Sequence, residues 1–349
     1  MIINTSILIG EEFKYLEEAH MEIEGNKILS IGDGYENNCL DYKKYLAAPS
    51  FFNSHTHVGD SFAKEAVLGC NVSQAVGKRG LKWTLYQNSS KQERINAMGG
   101  TLKYMVSSGT TGFSDFRENG SDGVDELKTS LSEIKMHSVI LGRDVDEDNC
   151  DGLGLNLYQS NQIPTDRKKF LVLHAGEKEG EVEKALEMKP DAIIHFTKAS
   201  VDEIKKAARD KISVVVCPRS NALLKIGFSK VREMLDAGVN VSLGTDNVML
   251  NQPDMFREME FLSKISCLFG ESIEPLEILR MATYGAQTFN INSGVLGEGM
   301  NADLMFIDKN SSNLKYSKNI LASLVHRCEP ENVRKVMLDG NLILDKDLK

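Results

Sequence analysis

The sequence predicts an α/β fold: a (β/α)8 barrel of TIM type joined to a small β-sandwich built from both chain ends. Three observations predict it. Between residues 49 and 296, compact apolar runs alternate with amphipathic stretches at the spacing of strand–helix units. The flanking segments, 1–48 and 297–349, instead carry short strand-like runs separated by turn signals. The length of 349 residues accommodates a barrel of roughly 250 residues plus an appendage.

In the first segment, Ile2 to Asn4, Ile7 to Ile9, His20 to Ile23 and Lys27 to Ile31 read as strands between turns such as Gly25-Asn26 and Gly32-Asp33-Gly34. The last segment matches it, with strands at Asp303 to Ile307, Val333 to Leu338 and Asn341 to Leu344 and a hairpin turn at Asp339-Gly340. Chain termini often lie close together, so the two ends are expected to pair. Between them, strands are predicted at Phe51, Thr110 to Phe116, His137 to Arg143, a short run near Gly154 to Leu157, Phe170 to His174, Asp191 to Phe196, Ile212 to Cys217 and Val239 to Gly244. That makes eight. Helical patterns separate most of them, at Gln92 to Ser107, Val124 to Lys135, Val182 to Met188, Asp202 to Arg209 and Lys230 to Ala237, with Asp254 to Leu268 and Pro275 to Phe289 following. The stretch 144–169 is rich in Asp, Asn and Gly and reads as an abbreviated unit or a loop.

Hydrophobic residues at 41% and charged residues at 26% are the balance of a soluble globular protein. A net charge of −9 with scattered basic residues argues against a nucleic acid polymer or an anionic membrane as partner, while leaving room for a small-molecule substrate. None of the six cysteines forms a Cys-x-x-Cys pair, and no apolar run approaches the roughly 20 residues that span a bilayer. No secretory leader is recognisable either, so a cytoplasmic location is expected. A homo-oligomer is the base-rate expectation. Serine-hydrolase elbow, Walker and His-Glu-x-x-His patterns do not occur.

Histidine is scarce, with seven residues, and its placement is informative. His55 and His57 lie two apart in a strand, so both point to one face and can fill half of a four-coordinate metal shell. Reactive groups in a parallel barrel sit at the C-terminal ends of strands. His55, His57, His174 and His195 all lie at or near such ends, and Asp246 follows the last strand. His20, His137 and His326 lie elsewhere and read as structural.

The ordered series His55-Thr56-His57, His174, His195 and Asp246 resembles the amidohydrolase superfamily of metal-dependent hydrolases. Within it, His174-Ala175-Gly176-Glu177 is similar to the His-x-x-Glu of the cytosine, guanine and adenosylhomocysteine deaminase and triazine hydrolase branch. Val216 to Asn221 looks like that branch's Asn-Pro-x-Ser-Asn segment, and Ala237 to Met259 is close to its last strand and following helix. The resemblance implies that His55, His57, His174 and Asp246 hold one divalent metal, zinc or iron, that activates water. It implies that Glu177 moves protons, that His195 hydrogen-bonds the attacking water or the developing oxyanion, and that Asp246 also holds the water. Binuclear relatives use a modified lysine after strand 4, and no lysine stands there, since Lys168 and Lys169 precede strand 5.

Substrate contacts are expected from Trp83 in the long segment 58–92, and from Arg143 and Arg219 as carboxylate or phosphate clamps. The His-Ala-Pro-Tyr-type segment of many branch members is missing, since Asp151 to Ser160 holds neither histidine nor proline. The resemblance therefore implies the metal site and not the substrate. The expected activity is hydrolytic deamination of a purine-, pyrimidine- or pterin-type amino heterocycle. Ring opening of a cyclic amide or imidazolone would use the same residues. A catalytically silent binding module would have lost one of them, and all six positions are filled.

Overall fold

The computed structural model describes residues 1–348 apart from Lys78, Asp146 and Thr165. Four strands open the chain: β1 (Ile2–Ile9), β2 (Lys14–Glu24), β3 (Lys27–Asp33) and β4 (Leu40–Pro49). A second group follows: β5 (Phe51–His57), β6 (Thr110–Arg117), β7 (His137–Gly142), β8 (Gly152–Asn156), β9 (Phe170–Ala175), β10 (Ala192–His195), β11 (Ser213–Val216), β12 (Val241–Leu243) and β13 (Asp246–Asn247). The last three strands are β14 (Leu304–Asp308), β15 (Val333–Leu338) and β16 (Asn341–Asp345).

These strands make two sheets. The seven-stranded sheet runs β16-β15-β14-β4-β1-β2-β3, and β14 joins the chain ends by pairing Leu304 with Pro49. The expected pairing of the two termini is therefore present, in one continuous sheet. Its strand β4 was not predicted: Asp41, Lys43 and Lys44 interrupt the apolar pattern in its exposed half, while Tyr45 to Pro49 are buried. The runs at Ile2 and Ile7 are one strand, with an irregularity between Thr5 and Ile7.

The nine-stranded sheet is parallel, in the order β12-β11-β10-β9-β8-β7-β6-β5-β13. Every residue of β5 and of β6 is buried, as expected of parallel strands covered on both faces. The stretch 241–247 serves both ends of this sheet. Its first part pairs with β11, and Asp246 and Asn247 pair with Thr56 and His57 of β5. Gly244 lies between the two parts because a Cβ there would stand 2.7 Å from His55 Cβ and 2.8 Å from its backbone nitrogen.

Helices alternate with these strands and start at recognisable caps. Ser90 accepts from the Glu93 N–H at the start of Lys91–Ser107, and Ser200 and Glu203 form a capping box before Val201–Arg209. Leu171, Leu173, Ile193 and Val214 pack with Val182, Ile204, Met234 and Leu262 from the covering helices to form the main core. Two details differ from expectation. The Pro275 to Phe289 pattern breaks into Pro275–Thr283 and Gly285–Thr288, where Gly285 passes so close to Ser54 that no side chain fits. A short helix at Ile320–His326 was not predicted. Within 144–169 the expected abbreviated unit is present as the short strand β8 and the 3-10 turn Leu157–Gln162. Among the described residues no helix is long and apolar enough to cross a membrane.

Candidate metal centre

Period-two alternation on β5 projects His55 and His57 together, and neighbouring strands bring up the rest. Asp246 is level with Thr56 on one side, and His174 is level with Asn156 and Ile194 on its flanks. His55 Nε2 lies 3.0 Å from His174 Nε2 and 3.2 Å from Asp246 Oδ1, and His57 Nε2 lies 3.5 Å from the same oxygen. One ligand atom from each of His55, His57, His174 and Asp246 falls within 4.8 Å of the other three. A tetrahedral shell with bonds of roughly 2.0–2.1 Å separates its ligand atoms by about 3.3 Å. The three nitrogens and one oxygen therefore fit a divalent metal such as zinc.

The electrostatics agree with the geometry. Burial pushes the His55 imidazole down to about 3, against the hydrogen bond and charge of Asp246. Burial, aided by His55 and Arg143, holds His174 well below its ordinary range. Both rings stay neutral and keep a lone pair to donate. Burial alone would raise the Asp246 carboxyl, but the hydrogen bond from His55 and the favourable interaction with the imidazoles around it hold it well below the usual range.

Outer residues act on the tautomers of His57 and His174. His57 Nδ1 donates to Glu118 Oε1 at 2.9 Å, leaving Nε2 its lone pair. His174 Nδ1 has Asn156 Oδ1 and Arg143 Nη2 both at 3.1 Å. In the tautomer that frees Nε2, Nδ1–H donates to Asn156; in the other, Arg143 donates to Nδ1. Ser220 Oγ donates to Asp246 Oδ2, which leaves Oδ1 for the ligand cluster. Among the described residues His55 Nδ1 is buried with no hydrogen-bond partner. Glu118 and Asn156 were missed at the sequence level, where no spacing motif marks them; Ser220 stands in the Val216 to Asn221 segment singled out above, with no role assigned to it there.

Glu177 and His195 stand beside the ligands, with Glu177 Oε1 3.4 Å from His195 Nε2. The Glu181 carboxylate takes the N–H groups of Gly176, Glu177 and Lys178 at 3.2, 3.1 and 3.1 Å, so it caps the turn and the Glu177 side chain is not needed there. Gly176, at φ 94°, makes that turn where a Cβ would sit 2.8 Å from Phe196 Cα. Burial raises the Glu177 carboxyl and His195 partly opposes it. His195 Nδ1 meets Asn221 Oδ1 at 2.8 Å. His195, Phe196 and Asp246 all have positive φ (75°, 54° and 59°), a clustering of backbone strain that is typical of functional sites.

The three predicted substrate contacts are more dispersed. Trp83 and Arg143 line a groove of about 550 Å³ together with Glu118, Asn119 and Tyr158. Trp83 Nε1 donates to the Gly77 carbonyl, so its ring edge is already committed. Arg143 is held by the Gly154 carbonyl at 2.6 Å and by Glu118 at 3.4 Å. Arg219 pairs with the fully buried Glu258 at 2.5 Å and with the Gln252 carbonyl at 2.7 Å. Both guanidinium groups are thus engaged inside the protein. A larger groove of about 740 Å³ lies at the opposite strand ends, around Asp191, Ser213 and Asn240, and contains no histidine.

Comparison with known proteins leads to the same place. An archaeal protein of Methanothermobacter thermautotrophicus, provisionally named an aminohydrolase, is 29% identical over 97% of this chain and 98% of its own length. A 5-methylthioadenosine/S-adenosylhomocysteine deaminase of Caldanaerobacter subterraneus is 26% identical over 99% of this chain and 93% of its own. The crystal structure of atrazine chlorohydrolase from Arthrobacter aurescens, complexed with zinc, shares the fold at a TM-score of 0.84 and 16% identity, over 99% of this chain and 95% of that one. The amidohydrolase family model matches residues 156–343, more than half of the sequence. The chain belongs to the amidohydrolase family.

Proposed function

We propose that this protein is a mononuclear metal-dependent aminohydrolase that deaminates an amino-substituted heterocycle of purine, pyrimidine or pterin type. The observation that carries the reading is the Glu177–His195 pair, 3.4 Å apart, set beside a four-residue ligand cluster. His55, His57, His174 and Asp246 would hold the metal. When bound, it supplies Lewis acidity that makes water nucleophilic at neutral pH. Glu177 takes a proton from the attacking water and delivers it to a ring nitrogen, then assists loss of the amino group as ammonia. A C–O bond forms, the exocyclic C–N bond breaks, and the second water proton leaves with the amine. His195 hydrogen-bonds the oxygen on which charge develops, and Asn221 fixes its ring.

The relative named as a 5-methylthioadenosine/S-adenosylhomocysteine deaminase supports this choice of bond. The same reading takes the parallel sheet as a (β/α)8 barrel over 49–296, closed by 241–247. It takes 1–48 with 297–349 as a composite sandwich-like unit. It places the enzyme in the cytoplasm, acting on a small molecule. The test is ammonia release by zinc-loaded protein from a panel of purines, pyrimidines, pterins and triazines. Ammonia from one member is expected. Ring opening of a cyclic amide or imidazolone without ammonia from any amino heterocycle would replace deamination by the other C–N hydrolysis.

A further inference from the structure

We propose that Lys82 is a positioning residue for the metal centre: its ammonium holds the Glu118 carboxylate against His57 and so keeps His57 Nε2 turned to the ligand cluster. The inference rests on the metal-hydrolase reading above. Lysine is rarely fully buried unless paired, and Lys82 is only 2% exposed. Its Nζ lies 2.7 Å from Glu118 Oε1 and 2.7 Å from Asp60 Oδ2. That same Glu118 oxygen receives His57 Nδ1 at 2.9 Å, while Arg117 holds the other oxygen at 3.1 Å. Asp60 in turn accepts from Asn247 Nδ2 at 2.6 Å, and Asn247 pairs in register with His57. The contacts form a ring around the outer side of His57, and Lys82 is the member that comes from an α-helix. It belongs to the helix Leu81–Asn88, which also carries Trp83 into the neighbouring groove. One ammonium therefore links the groove wall to a metal ligand.

A carboxylate behind a ligating histidine sets its tautomer and basicity, and losing such a partner costs about 10–100-fold in metal affinity. Without Lys82, Glu118 loses its shortest contact and Asp60, whose Oδ1 is buried without a partner among the described residues, loses the Lys82 ammonium.

The experiment measures Zn2+ affinity of the full chain by competition with a chromophoric chelator, with circular dichroism to confirm folding. Lys82→Met is expected to bind Zn2+ about 10–100-fold more weakly. Glu118→Gln should lose a similar amount, and the double variant no more than either alone, because the two act through one contact. Asp60→Asn leaves Lys82 on Glu118 and should stay within about threefold of wild type. With Co2+ as probe, the visible ligand-field bands should shift in Lys82→Met and stay in place in Asp60→Asn. If Lys82→Met does not fold, the charge-balanced Lys82→Met/Asp60→Asn variant takes its place with the same expected loss. Wild-type affinity in that variant or in Lys82→Met, or losses with Glu118→Gln that multiply independently, would overturn the proposal. Wild-type protein that binds Zn2+ but releases no ammonia would sink the deaminase reading and leave the role of Lys82 standing.

Discussion

At one end of the parallel sheet three histidines meet one aspartate; at the other, one histidine meets two. His137, at the start of β7, has its Nε2 2.9 Å from Asp303 Oδ2 and 3.9 Å from Asp339 Oδ1. The two clusters use the same residue types and do opposite things to their imidazoles. At the C-terminal rim burial outweighs the single carboxylate, and His55 and His174 are kept neutral. At the far end burial also pushes His137 down, but the Asp303 hydrogen bond and the charges of Asp303 and Asp339 win and raise it. A ring whose pKa is lowered offers a lone pair, and one whose pKa is raised offers a proton. The first suits a metal and the second a salt bridge, here one that ties β7 to the segments flanking β14 and β15.

The largest expected effect separates the clusters outright. His174→Ala should empty the metal site and lower turnover by more than about a thousandfold. His137→Ala should leave the metal content of purified protein unchanged, as elemental analysis would show. If both variants lost metal equally, the distinction would fail.

Next comes Glu177→Gln, which should retain metal while turnover falls by about 10²–10⁴-fold. In wild type the acid limb of kcat/KM should lie above the ordinary glutamate value of about 4.3, because the proposed proton transfer needs Glu177 ionised and its pKa is raised. An unchanged rate in the variant would remove Glu177 from the mechanism.

A smaller effect belongs to the far end. His137→Gln should cost about 1–2 kcal/mol in urea unfolding below pH 6. Since the folded-state pKa of His137 is raised, its charge-linked stability is fully present below the unfolded value near 6.5. It is lost as pH rises through the folded value, so the gap between variant and wild type should narrow at pH 9. A gap independent of pH would show that shape, and not charge, is what His137 contributes.

The smallest effect returns to the rim. A carboxyl raised in the folded state stabilises when protonated, and that contribution is lost as pH rises through its folded pKa. Metal-free Glu177→Gln should therefore melt about 2 °C higher than wild type at neutral pH, with the difference closing in acid. A lower melting temperature at neutral pH would mean that the ionised carboxylate stabilises the fold.

The clustering of His55, His57, His174 and Asp246 was legible because parallel strands deliver side chains at their C-terminal ends, so a run of histidines at such ends has a common destination. Glu118 and Lys82 were not legible for a physical reason. In sequence each is a charged residue beside a strand exit or in a polar helix, where solvent is the ordinary environment. Their burial arises only when β6 and the Leu81–Asn88 helix converge over His57. The arginines show the reverse case. Arg143 and Arg219 stand after strands, as clamps would, yet Glu118 and Glu258 reach them first. Strand β4 was hidden similarly, because its exposed charged half masks the apolar half that pairs with β14.

The stretch 241–247 has a mechanical consequence. Its ladder pairing with β5 covers two residue pairs, Asp246 with Thr56 and Asn247 with His57, beside which Thr245 exchanges hydrogen bonds with the Asn53 side chain. A join this short is where backbone amides should exchange with solvent first when no metal is present. An ion held by His55, His57 and Asp246 would span that join from both sides, so loading the site would act as a clasp as well as a catalyst. Slowed deuterium uptake at residues 54–57 and 245–247 would record the clasp closing.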